Sequence, residues 1–146
     1  MLNCHWVTIP NMSKSKIFSL PVRVYFQDTD AGGVVYHANY LNFMERARTE
    51  WLRAHGYSNA GLMKEFGMVF VVRSMKLDYL KPAMLDDSLD VTAGIKDIGR
   101  SRISLTQSIL RGAEVLTEAE VHLVCVSLAS FKPASVPGVL RMQLEK

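Results

Sequence analysis

Long apolar runs are missing from this chain of 146 residues. Charges interrupt every hydrophobic stretch well before the ~18–20 residues that a helical membrane span requires. Cysteine is nearly absent as well, with only Cys4 and Cys125, and the four histidines are scattered. No His/Cys spacing suits a metal, and two cysteines make no disulfide framework. Cys125 lies in the apolar run 121–126 and reads as a buried free thiol, which suits a reducing compartment. A dense Lys/Arg block is lacking too. The 17 basic and 14 acidic residues leave a net charge of +3, which excludes the charged stripe that nucleic acid or an anionic membrane would need. Repeats, low-complexity tracts and linkers are missing, so the length fits one domain with one core. Residues 1–16 lack a basic segment followed by an apolar one and do not read as a signal peptide; the expected location is cytoplasmic. Met12 opens the stretch MSKSKIFSLPVRVYF as a natural start would. Residues 1–16 are thus expected to be a non-essential extension, the first 11 having no role in the fold. The domain is expected over 17–135 and a C-terminal tail over 136–146.

What is present is one long helical pattern among strand patterns. Tyr40, Phe43, Met44, Ala47, Trp51 and Ala54 recur at spacings of three and four, one face of an α-helix. Glu45, Arg46, Arg48, Glu50 and Arg53 mostly take the other faces, with Arg46 and Glu50 as an i,i+4 pair. Gly56 suits a left-handed helix end, so the helix is expected at about 38–55, with a short helical turn near 58–66. Alternation predicts strands at Val22–Gln27, from Gly67 to Leu80, and over 88–96, 102–109 and 118–125, with turns at Gly99 and at 111–113. Strand, long helix, then four strands joined by short turns imply an α+β fold in which a five-stranded antiparallel sheet wraps the central helix.

The informative stretch runs from Asp28 to Tyr40, between the first strand and the helix. It packs two carboxylates, two glycines, a tyrosine and a histidine into one loop. A helix N-terminus presents unpaired N–H groups and a partial positive charge, able to polarise a carbonyl oxygen. Glycines let backbone approach a ligand closely. A carboxylate just before the helix would then face the carbon of that carbonyl as nucleophile or general base. Turn formation and helix capping are the competing reading of the same residues.

The stretch FQDTDAGGVVYHANYLNFMERAR closely resembles the 4-hydroxybenzoyl-CoA thioesterase family of hotdog proteins. Within it the likeness is greatest to the Tol-Pal-associated acyl-CoA thioesterases of Gram-negative bacteria. The pattern is met by Asp28, Thr29, Asp30, Gly33, Val34, Val35, Tyr36, His37, Asn39 and Tyr40, and the resemblance covers about residues 19–133. It implies hydrolysis of an acyl-CoA, short-chain or aromatic, to free acid and coenzyme A, with no metal or other cofactor. Asp30 is then the catalytic carboxylate, and the backbone N–H of His37 holds the thioester oxygen. Gly33 and Tyr36 would shape the substrate site, and Arg100 and Arg102 would hold the coenzyme A phosphates, with Lys132 as another possibility. The resemblance also implies a homodimer with its site at the interface, assembling to a homotetramer. Asp28 is read as a loop hydrogen-bonding group, Glu45 as a pocket-edge or interface group, and His55 as complementing the helix end. Ser127 lacks a nucleophile's context. Two alternatives stay open: a hotdog dehydratase, whose usual His and helix carboxylate pattern is lacking, and a non-catalytic partner of acyl carrier protein.

Overall fold

The structure, a computed structural model, describes residues 4–8 and 16–146. In chain order it forms β1 (His5–Thr8), β2 (Lys16–Arg23), a 3-10 turn (Phe26–Asp28), α1 (Asn39–Ala54), α2 (Asn59–Phe66), β3 (Met68–Tyr79), β4 (Ser88–Ile98), β5 (Arg102–Arg111), β6 (Glu114–Ser127) and α3 (Gly138–Leu144). The strands make one antiparallel sheet in the order β1-β2-β4-β5-β6-β3. The expected hotdog arrangement is present: α1 buries Tyr40, Phe43, Met44, Ala47, Trp51 and Leu52. They join sheet residues such as Leu89, Val91, Ile103, Leu105, Ile109 and Val121 in one core. Among the described residues, no helix is long and apolar enough to cross a membrane.

Five expectations are corrected. The sheet has six strands, not five, because β1 pairs with β2 from His5↔Ser19 to Thr8↔Lys16. His5–Thr8, within the stretch expected to have no role, therefore have a place in the fold; Met12 lies outside the described residues. Trp6 explains the pairing, since its ring meets Phe18 edge-on at 5.7 Å. The tail carries α3, whose Leu140 is fully buried and whose Leu144 joins the core. β2 lies earlier than the alternation suggested. It ends at Arg23, and Phe26 falls in the 3-10 turn with 81% of its surface exposed. Asp28 causes the change, because its carboxylate accepts the Tyr25 N–H at 2.8 Å and bends the chain. Finally, the Arg46–Glu50 pair does not form. Glu50 instead approaches Arg53 at 3.9 Å, and Arg46 lies over the Phe43 ring.

β3 is an edge strand of 12 residues, hydrogen-bonded on one side to β6. It carries a register shift between Val72 and Ser74. Val72, Tyr79 and the adjoining Leu80 are exposed. Such an open edge offers unpaired backbone to another chain.

Candidate active site

The loop between β2 and α1 folds into a small hairpin. Thr29 and Val35 form a bridge, and Asp30 N–H donates to the Val34 carbonyl at 2.9 Å. At the tip, Gly33 N–H donates to the Asp30 carbonyl at 3.0 Å, closing a four-residue turn. Gly33 has φ +80°, a conformation that glycine adopts without steric cost. The Asp30 carboxylate joins the turn, because its Oδ1 accepts the Gly32 N–H at 2.8 Å. Its Oδ2 has no hydrogen-bond partner among the described residues, and Asp30 is exposed. Asp28 differs: it is only 8% exposed, and its carbonyl accepts both the Tyr36 N–H (2.9 Å) and the Asn39 side-chain amide (2.9 Å). Its carboxylate accepts the Tyr25 N–H, so Asp28 hydrogen-bonds within the loop through both side chain and backbone.

The helix start is held open rather than capped. Ala38, at the N-cap, makes no side-chain capping bond. Asn39 N–H donates to the Tyr36 carbonyl at 2.8 Å, which turns that carbonyl along the helix. In a trans peptide the N–H points opposite the carbonyl. The His37 N–H is therefore directed away from the helix, and it has no hydrogen-bond partner among the described residues. One peptide further on, the Tyr79 hydroxyl donates to the His37 carbonyl at 2.7 Å. Burial pushes the Tyr79 phenol above its ordinary value, with Tyr40 adding to the shift, so it stays protonated as a donor. The Tyr40 hydroxyl accepts the Ala83 N–H, fixing the neighbouring loop. The arms of a hairpin lie about 5 Å apart, so Asp30 is within roughly 10 Å of the helix start. Asp30, Gly33, Tyr36 and His37 thus share one exposed loop, with the Tyr36 and His37 rings 4.5 Å apart. An exposed acid and unpaired N–H groups can hold a carbonyl and attack its carbon.

Other candidates lie elsewhere. β4 starts beside this loop, where Val24 N–H donates to the Asp87 carbonyl. Arg100 and Arg102 flank its far end, about 30 Å away along the strand. Within one protomer they lie far from Asp30. Arg100 donates to the Ser135 hydroxyl at 2.9 Å, and Arg102 is exposed. Glu45 is exposed at the rim of a cavity of about 140 Å³. His55 packs between Trp6 and Trp51 at 5.2 and 5.1 Å. Sequence reasoning missed Tyr79, whose partner His37 lies 42 residues earlier and is found only through the fold.

The fold is that of a class of hydrolase. Residues 24–144 match the thioesterase-like superfamily, and the chain belongs to that family: it is a thioesterase. The acyl-CoA thioester hydrolase YbgC of Escherichia coli O6:H1 is 48% identical over 122 residues, covering 83% of this chain and 90% of its own length. The acyl-CoA thioesterase YbgC of Haemophilus influenzae is 45% identical over 120 residues, covering 82% and 88%. A probable thioesterase from Bartonella henselae superposes with a TM-score of 0.80 at 37% identity, covering 83% of this chain and 99% of that one.

Proposed function

We propose that this thioesterase hydrolyses acyl-coenzyme A, with Asp30 as the reacting carboxylate and the His37 N–H as oxyanion donor. The observation that carries the reading is the unpartnered His37 N–H, aimed outward beside an exposed aspartate on the same hairpin. Two routes share the geometry. In one, Asp30 Oδ2 bonds to the carbonyl carbon and the C–S bond breaks. Coenzyme A leaves as thiolate and takes a proton from water, and water then cleaves the mixed anhydride. In the other, Asp30 takes a proton from water, whose oxygen bonds to the carbon as the C–S bond breaks, and Asp30 then passes that proton to the departing thiolate. Water is consumed and free acid and thiol are released in both. The names of the YbgC relatives support acyl-CoA as the substrate class. No feature of the loop selects 4-hydroxybenzoyl over other acyl groups.

The same reading makes the active form a homodimer. Pairing two copies of β3 antiparallel about a two-fold axis covers both open edges. It also sets the Met68 end of one copy beside the Tyr79 end of the other. The Tyr79 end carries His37 and Asp30. The Met68 end pairs with Ser127 of β6, and Cys125 N–H of that strand donates to the Ser101 carbonyl, between Arg100 and Arg102. Arg100 and Arg102 of a second copy would then hold the coenzyme A phosphates for this copy's Asp30. A homotetramer of two such dimers and a cytoplasmic location, where coenzyme A is abundant, complete the proposal.

The test is release of free thiol from a panel of acyl-CoA esters, followed with a thiol-reactive dye. Asp30→Asn is expected to lower kcat by about 10²–10³ while its melting temperature matches wild type. A folded Asn variant near the wild-type rate overturns the assignment. Copurification with acyl carrier protein and no turnover of any ester overturns the acyl-CoA reading.

A further inference from the structure

Arg48 of α1 is half-buried on the core side of the helix. Its Nη1 donates to the Gln107 amide oxygen at 2.9 Å. Gln107, 2% exposed, uses its amide nitrogen on the carbonyls of Met44 (3.0 Å) and Thr92 (3.1 Å). Those two bonds fix which end of the amide faces Arg48. Among the described residues no carboxylate lies within ion-pair distance of Arg48. Burial lowers the affinity of its guanidinium for the proton, and the Glu45 carboxylate, one turn earlier, opposes that shift. The guanidinium is partly desolvated, and the Gln107 amide takes only one of its five N–H donors, which leaves donors for an acceptor placed beside it.

Arg48 also borders the cavity of about 140 Å³, whose walls include Leu52, Phe70, Val72 and Leu123. The volume equals four or five waters at about 30 Å³ each. The cavity meets the open β3 edge, the same edge whose far end holds His37 through Tyr79. Arg48 stands about 13 Å along the axis from Asn39, and side chains on a helix lean back toward its start. A chain running from the helix start along α1 would meet the guanidinium at its far end, between apolar walls on one side and the polar Glu45, Thr49 and Asn59 on the other.

We infer that this cavity receives the distal end of the acyl group and that Arg48 selects acyl chains ending in an acceptor oxygen over those ending in methyl. The inference rests on the placement of the thioester at His37 proposed above. An alcohol or a carboxylate can supply that oxygen. The test compares kcat/KM for octanoyl-CoA, ω-hydroxyoctanoyl-CoA and the ω-carboxy analogue suberoyl-CoA. Wild type is expected to favour an oxygen-ended ester about tenfold or more, the better of the two identifying the source. Arg48→Met is expected to bring the ratio to about one, and Arg48→Lys to restore part of it. A role confined to bracing Gln107 would lower all rates together and leave the ratio where it was. Equal wild-type rates on all three esters, or an unchanged ratio in Arg48→Met, overturn the inference; if that variant does not fold, the wild-type panel decides. Wild type that cleaves none of the esters overturns the acyl-CoA reading instead.

Discussion

At its start, α1 meets a hairpin whose Asp30, Tyr36 and His37 stand in solvent. At its end, His55 sits between two tryptophan rings, under a strand and a helix drawn from the two ends of the described chain. Both ends of a helix leave backbone groups unpaired. The end of α1 meets that need locally, since the N–H groups of His55 and Gly56 turn back to the carbonyls of Leu52 and Arg53. The start leaves the His37 N–H open and braces the peptides around it with Asn39 and Tyr79. One end closes on its own backbone groups, and the other turns the His37 N–H outward on a braced backbone, as the proposed oxyanion site requires.

This contrast breaks if a change at one end disturbs the other. The largest expected effect is that of Asp30→Asn, which removes two or three orders of magnitude in kcat and little stability, because the side chain is exposed. Next comes Leu140→Ala at the closed end. Leu140 is fully buried, and truncating such a leucine costs about 2–5 kcal/mol. A denaturant midpoint should shift accordingly, while kcat/KM of the folded protein stays at the wild-type value. A large loss of kcat/KM in folded Leu140→Ala would couple the two ends and dissolve the distinction. Replacing Arg100 and Arg102 together by Gln sharpens it from another side. In one protomer these residues lie at the closed end, yet the dimer would deliver them to the open end of the other copy. The expected outcome is a rise in KM of about tenfold with kcat changed less. An unchanged KM would leave them as ordinary surface charges.

The sequence made the open end more legible than the closed one. The 16 residues of α1 show four turns of apolar periodicity, so Tyr40, Phe43, Met44, Ala47, Trp51 and Ala54 were read as its buried face; the first five are buried, and Ala54, in the last turn, is exposed. Gly56 was expected at a left-handed position and has φ +91°. β1 and α3 escaped because four and seven residues give too few repeats to reveal a period. The break after Val24 escaped because alternation continues through Phe26, and only the Asp28 bond to Tyr25 N–H reverses it. Arg48 belonged to the polar pattern of α1; its partner Gln107, buried on β5, is 59 residues away. The chemistry of the loop was legible as residue types, but the bracing by Tyr79 depends on strand register, which no local pattern carries.

The smallest expected effect concerns pH at the closed end. Burial against Trp6 and Trp51 pushes His55 below its ordinary value, more strongly than its backbone hydrogen bond with Gln143 raises it. As pH falls beneath about 6.5, the unfolded chain therefore takes up a proton that the native chain still refuses. The stability contribution is complete above that value. It declines as pH drops toward the lowered native pKa, and below that pKa the loss is complete. His55 is only half-buried, so solvent screening keeps the effect modest. Replacing the residue by Asn removes this titration. Between about pH 7 and about pH 5, the melting temperature of His55→Asn should fall by less than that of wild type, with the reaction at the other end of α1 untouched. Equal falls in the two proteins would assign the acid sensitivity to other groups and leave the tryptophan pair as simple packing.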